Sequence, residues 1–262
     1  MNHSTSNHLS SLMSYLTPPH PCSYLPGRYA TNQFIGPESP IHTKLYSQLV
    51  DLGFRRSGDY VYRPRCYGCS ECIPVRIPVK DFQPNRSQRR SWRANQDLHV
   101  VYRPAEFDQL HFDLYRRYLA WRHPGGGMDN PSVRDYMGFL TSRWIDTHFH
   151  EFWHGEALAC VAVVDCLDNG LSAVYTFYDP AYQHRGIGNY AILWQITAAR
   201  RLGLPWVYLG YWINASPKMR YKGRFRPLEV FRNGRWIRLS ATSCAPASVS
   251  PGTQRYSTPA PE

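Results

Sequence analysis

The chain has 262 residues, 43% of them hydrophobic and 15% aromatic, enough to bury a substantial core in one large or two small domains. Its formal net charge of +11, carried by an excess of arginine, favours polyanionic partners. No run of eighteen apolar residues exists, so no membrane-spanning helix is expected, and the first 27 residues lack the basic and apolar blocks of a secretory signal. The seven cysteines, an odd number, then fit a reducing cytoplasm best.

In chain order, Ser39 and Pro40 predict a helix start, and Ile41, Leu45, Leu49 and Leu52 predict its buried stripe before Gly53 stops it. A hairpin follows, Phe54 to Arg56 and Tyr60 to Arg63 around Ser57, Gly58 and Asp59, with Val75 to Val79 as a third strand. Asn85 to Asn95 is a basic segment, and a first domain is expected to span residues 1–98. Beyond it the pattern predicts a strand (His99 to Tyr102), a helix (Ala105 to Arg122), a Gly-rich loop from His123 to Gly127, and a helix (Pro131 to Trp144) capped by Asn130. Three strands come next, Thr147 to Trp153, Ala157 to Leu167 and Leu171 to Tyr178, joined by turns at residues 154–156 and 168–170. A helix ending at Gly203, a strand from Trp206 to Tyr211, a basic loop and a hairpin at Asn233 and Gly234 complete a second domain, 99–240. The tail, 241–262, is rich in Ser, Pro, Ala and Thr and is expected to be disordered.

Three groups of residues carry chemistry. Gln183, Arg185, Gly186 and Gly188 lie between a strand and a helix, where glycines admit backbone N–H groups close to an anion and the helix start adds partial positive charge. Arg86, Arg89, Arg90 and Arg93 recur at i, i+3, i+4 and i+7, so a helix there would align them on one face with no neighbouring acid. That stripe reads as a nucleic-acid backbone contact, or as a face that receives carboxylates from elsewhere in the fold. Cys66, Cys69 and Cys72 form C-x-x-C-x-x-C, and Cys22 is a fourth thiol; the set suits zinc or an iron–sulfur cluster, or else small free cysteines.

The Gln/Arg-x-x-Gly-x-Gly loop resembles the pyrophosphate loop of GNAT acyltransferases, and the order strand, two helices, three strands, helix, strand resembles that fold. Longer motifs carry a narrower resemblance. They are CSYLPG at 22–27, CYGCSECIPVR at 66–76, NRSQRR at 85–90 with NQDL at 95–98, YTFYDP at 175–180, YAILWQ at 190–195, YLGYWI at 208–213 and KMRYKGRFRPLE at 218–229. Over nearly all of residues 20–240 they resemble the aminoacyl-tRNA–protein transferases, and most of all the bacterial aspartate/glutamate leucyltransferase subfamily of the arginyltransferase group. The resemblance implies an α+β protein, with a cysteine-bearing N-terminal domain and a GNAT-like C-terminal one. It also implies transfer of an aminoacyl group, leucine in that subfamily, from charged tRNA to the α-amino group of proteins beginning with Asp or Glu.

Such aminolysis needs a positioned amine, a place for the oxyanion and a grip on the tRNA end, with no cofactor required for the step. Asp179, at the end of a strand, is the candidate to accept or steer the proton, with Glu156 and Glu229 behind it and Tyr178 lining the cleft; a turn aspartate before proline is the alternative for Asp179. Arg76, Arg220 and Arg224 are candidates for the acceptor carboxylate, which a forked guanidinium binds well. Lys218 to Arg226 holds five cations in nine residues with Tyr221 and Phe225 interleaved, so Lys218 and Lys222 join Gln183, Arg185 and the arginine stripe as tRNA or phosphate contacts. Arginyl transfer to the same acceptors, an acyl-CoA N-acetyltransferase and a non-catalytic RNA-binding module are the competing readings.

Overall fold

The computed structural model describes residues 12–125 and 130–239; the expected tail from 241 on, and part of the loop after His123, lie outside them. The protein is of the α+β class, built on an eight-stranded sheet. In chain order the elements are β1 (Ser14–Leu16), β2 (His20–Pro21), β3 (Tyr29–Ala30), β4 (Asn32–Ile35), α1 (Thr43–Asp51), β5 (Arg55–Ser57), β6 (Tyr60–Pro64) and β7 (Ile73–Pro78). There follow α2 (Arg86–Ala94), β8 (His99–Pro104), α3 (Gln109–Arg122), α4 (Val133–Leu140), β9 (Thr147–His154), β10 (Ala157–Leu167) and β11 (Gly170–Tyr178). After a 3-10 turn, Pro180–Arg185, come α5 (Ile187–Arg201), β12 (Trp206–Trp212), a second 3-10 turn, Arg220–Arg224, β13 (Leu228–Arg232) and β14 (Arg235–Leu239).

The large sheet runs β14-β13-β7-β12-β11-β10-β9-β8, and a smaller one runs β1-β4-β6-β5. Strand β7 thus leaves the hairpin that precedes it in sequence and inserts between β12 and β13, antiparallel to both. Residues 12–98 and 99–239 therefore share one sheet. All neighbours are antiparallel except β11 and β12, which pair in parallel only from Gly170↔Trp206 to Ser172↔Tyr208. Beyond that register β12 is interrupted at Gly210, whose φ is +77°, and the two strands part.

Alternation along β10 explains the layers. Cys160, Ala162 and Val164 pack under α5 with Ile187, Ala191 and Ile196, whereas Val161 and Val163 face Leu114, Tyr115 and Leu119 of α3 and Tyr136 of α4. A third cluster joins Tyr46, Leu49 and Val50 of α1 to Phe54, Val61 and Tyr208. On the α1 side a fully buried ion pair, Arg56 Nη2 to Asp165 Oδ1 at 2.6 Å, ties the β5–β6 hairpin to β10, and Thr147 Oγ1 donates to the same carboxylate at 2.8 Å.

Several expected boundaries shift for local reasons. Helix α1 starts at Thr43, capped by the His42 ring, rather than at Ser39. Helix α4 is capped by Ser132 in a capping box with Asp135, not by Asn130, whose φ is +54°. The basic segment forms α2, with Asn85 and Gln88 in a reciprocal capping box.

Candidate active site and nucleic-acid interface

The site is built at the end of β11, where Tyr178 leads through Asp179 into the 3-10 turn and α5. Tyr178 is half-buried, its ring 5.0 Å from that of Tyr118 and 6.0 Å from that of Trp121, both on α3. Burial pushes its phenol pKa up. The Asp179 carboxylate accepts from the Ala181 N–H at 3.0 Å, capping the 3-10 turn, and its second oxygen faces Arg117 Nη2 at 3.5 Å. The turn role weighed for Asp179 in the sequence is the one its geometry displays. Glu156 stands exposed at the tip of the β9–β10 hairpin, and Glu229 is buried against Arg76.

The glycine loop is shaped by the protein itself. Gly186 has a φ of +67°, and a Cβ there would lie 2.6 Å from Ser91 Oγ of α2, so glycine is demanded by the close approach of that helix. Arg185, expected on phosphate, turns back onto α2. Its Nε donates to the Ala94 carbonyl at 2.7 Å and its guanidinium pairs with Asp97, leaving the side chain 12% exposed. Asn95, fully buried, clamps the same corner by donating to the Ser91 and Arg185 carbonyls at 2.7 and 2.9 Å. Gln183 is exposed, and a Cβ on Gly188 would touch the Tyr178 ring at 3.4 Å.

Two further cations are spoken for. Arg76 binds Glu229 Oε2 and Asp51 Oδ1, each at 2.9 Å, with its guanidinium carbon 3.7 Å from the Trp206 ring centre and 4.3 Å from that of Trp236. With both edges and both faces engaged, it holds β7 to its neighbours and has no free fork for an acceptor carboxylate. Lys222 points inward, donating to the Tyr211 carbonyl at 2.9 Å, and burial together with Arg55 lowers its pKa to about 7. It is no surface phosphate contact.

The remaining cations converge. Arg86, Arg89, Arg90 and Arg93 are all exposed on α2, and no carboxylate pairs with them among the described residues. Asn85 Nδ2 and Gln88 Nε2 of that helix donate to the Arg224 carbonyl at 3.4 and 3.3 Å, fastening it to the basic loop. The turn that carries exposed Arg220 and Arg224 is thereby held against α2 through the Arg224 backbone. Lys218 Nζ lies 3.1 Å from His123 Nδ1 at the end of α3. Sequence reasoning missed Ser91, Asn95, Arg117 and Trp121, whose roles depend on elements far apart in the chain.

Cys22, Cys66, Cys69 and Cys72 line one cavity of about 280 Å³ together with Tyr24, Arg28, Tyr62 and Tyr211. The donor chemistry suits a thiophilic metal, and Arg28 Nη1 sits 3.3 Å from Cys69 Sγ. No three of these sulfurs all lie within 4.8 Å of one another, wider than the roughly 3.8 Å edge of a tetrahedral zinc with Zn–S bonds near 2.3 Å.

The family profile "Arginine-tRNA-protein transferase, N terminus" matches residues 20–90, and "Arginine-tRNA-protein transferase, C terminus" matches residues 110–232. A protein of Nitrosococcus oceani named aspartate/glutamate leucyltransferase is 57% identical over 87% of this chain and 96% of its own length. Proteins of that name from Pseudomonas aeruginosa and Hahella chejuensis are 52% and 48% identical, over 88% and 89% of this chain and 99% and 100% of theirs. The solved structure of L-PGS from Bacillus licheniformis aligns with a TM-score of 0.40 at 10% identity, over 54% of this chain and 47% of that one. With both profiles matched in order and these relatives aligned over nearly their whole length, the chain belongs to the arginine-tRNA-protein transferase family, among the aspartate/glutamate leucyltransferases.

Proposed function

We propose that this protein transfers leucine from charged tRNA to the α-amino group of proteins beginning with Asp or Glu, marking them for degradation in the cytoplasm. The observation that carries this reading is the basic surface of α2 and of the Arg220–Arg224 turn fastened to it, whose exposed arginines pair with no carboxylate among the described residues. Such a surface suits a phosphate backbone, and the aromatic wall of Tyr118, Trp121 and Tyr178 offers faces for unpaired bases or for a leucyl side chain. The parting of β11 and β12 beyond Ser172 supports a GNAT-like second domain, with the acceptor amine entering between the strands. No helix among the described residues is long and apolar enough to cross a membrane. Of the expected acceptor-binding cations, Arg220 and Arg224 remain exposed and able to reach a carboxylate.

The test is a transfer assay with tRNA charged with leucine, arginine or phenylalanine against peptides starting with Asp, Glu or Lys. Leucyl transfer to the Asp and Glu peptides alone is expected. Arginyl transfer as the faster reaction, or transfer from acetyl-CoA instead of tRNA, would overturn the reading. The four thiols of the cavity are the place for zinc or an iron–sulfur cluster, which would tie the 66–72 loop to Cys22 as a structural group. Metal analysis of anaerobically prepared protein, compared with Cys69→Ser, decides that point.

A further inference from the structure

At the opposite end of the sheet from Asp179, β9 and β10 bring three metal-binding donors onto one face. The Cys166 N–H donates to the Asp146 carbonyl at 2.9 Å, and Val164 pairs with His148, so positions 146, 148, 164 and 166 share a side by strand alternation. His148 Nε2 lies 2.8 Å from Asp146 Oδ2, and its two ring nitrogens lie 3.5 and 3.9 Å from Cys166 Sγ. One donor atom from each of the three falls within 4.8 Å of the others, the sole such group of His, Cys, Asp and Glu among the described residues. The Tyr102 ring meets the imidazole edge-on at 4.4 Å, fixing its plane. The Asp146 side chain is 68% exposed, which leaves an approach from solvent.

We propose that Asp146, His148 and Cys166 form a binding site for a zinc-class divalent cation, separate from the four-thiol cavity and from the transfer site. One carboxylate, one imidazole and one thiolate are ligands such a cation accepts, at bond lengths of about 2.0 to 2.3 Å. The N···O and N···S edges of a tetrahedron with those bonds are about 3.3 and 3.5 Å, against 2.8 and 3.9 Å here, so these two edges each change by roughly half an ångström or less, and the third, carboxylate to sulfur, lies within 4.8 Å. Three protein ligands leave one position to water. On binding, His148 ligates through Nε2 as a neutral imidazole with its proton on Nδ1, the Cys166 thiol releases its proton to solvent, and the cation takes the place of the contact that Nε2 makes with Asp146. Because the ligands come from the start of β9 and the end of β10, the ion staples that corner of the sheet and touches no transfer residue.

Cobalt(II) titration of the reduced, metal-stripped full chain, followed by thiolate-to-cobalt absorption and equilibrium dialysis, tests the site. Wild type is expected to hold an equivalent that Cys69→Ser retains and that His148→Ala and Cys166→Ala each lose. Asp146→Asn is a near-isosteric change at a 68% exposed side chain, and should weaken that equivalent by about tenfold or more, at least the loss typical when a supporting residue of a metal site is removed. The same stoichiometry and affinity in Cys166→Ala and Asp146→Asn as in wild type, or no cobalt bound outside the four-thiol cavity, would overturn the proposal.

Discussion

At the scale of single residues, the glycine loop changes meaning once its neighbour is known. Gly-x-Gly before a helix reads as a place for an anion, and the positive φ of Gly186 fits that reading, yet Ser91 Oγ occupies the direction in which a side chain would grow. Gly186→Ala should therefore destabilise the fold as well as disturb transfer, by about 1–2 kcal/mol from the left-handed backbone alone and more from the clash with Ser91. Urea denaturation checks this: adding Ser91→Gly should recover the clash part and leave the backbone part, whereas an unchanged midpoint in Gly186→Ala would show that the corner tolerates a side chain. Lys222 gives a pH signature. Its folded pKa of about 7 lies below the lysine value of 10.5, so between those limits the unfolded chain holds a proton that the folded chain lacks, and stability rises with pH. Below about pH 7 both states are protonated and the slope vanishes. Lys222→Met should flatten the rise, by at most about 1.4 kcal/mol per pH unit, in denaturation series at about pH 7 and about pH 9.

At the scale of elements, α2 carries two jobs on two faces. Its inner face, with Gln88 and Ser91, packs against the basic loop and Gly186, while the four arginines point outward. Like charges at i, i+3 and i+4 weaken an isolated helix, so α2 depends on its capping box and on its docking to α5. Reversing Arg89 and Arg93 to Glu spares the inner face. It should leave the melting temperature nearly unchanged, weaken tRNA binding, and reduce the slope of log affinity against log salt by about one unit for each phosphate that is no longer neutralised. Filter binding at several salt concentrations reads this, and an unchanged slope would place the tRNA backbone elsewhere. Part of this element was legible: the i, i+3, i+4, i+7 spacing put the arginines together, whereas the capping box of Asn85 with Gln88 emerged only from the structure. Its docking was not, because Asn95 to Arg185 and Gln88 to Arg224 join positions 90 and 136 residues apart.

At the scale of the whole molecule, local pattern again found the elements and missed their partners. Strands β9 to β11 were readable from alternation and turn residues, and α3 and α5 from their apolar spacing, because those signals are local. The short strands β1 to β4 carry too few residues to show a period. The pairing of β7 with β12 and β13 has no local signal at all. Val75 and Ile77 are fully buried on one side and Arg76 is held between Glu229, Asp51 and two tryptophans on the other, so the strand reads as half of a hairpin only until its neighbours are known. This placement makes an isolated 99–239 fragment a sharp test of how the chain is organised. Without β7, strands β12 and β13 lose their shared partner, Glu229 loses Arg76, and an apolar row spanning Val207, Leu228 and Val230 meets water. Two unpaired edges flanking such a row favour association over folding. The fragment should fail to show a cooperative thermal transition by circular dichroism and should sediment as aggregate. Adding residues 12–98 as a separate chain should restore a soluble complex, because the missing strand can then insert from outside. A monomeric 99–239 fragment with its own sharp transition would mean that β7 completes the sheet without being needed to form it.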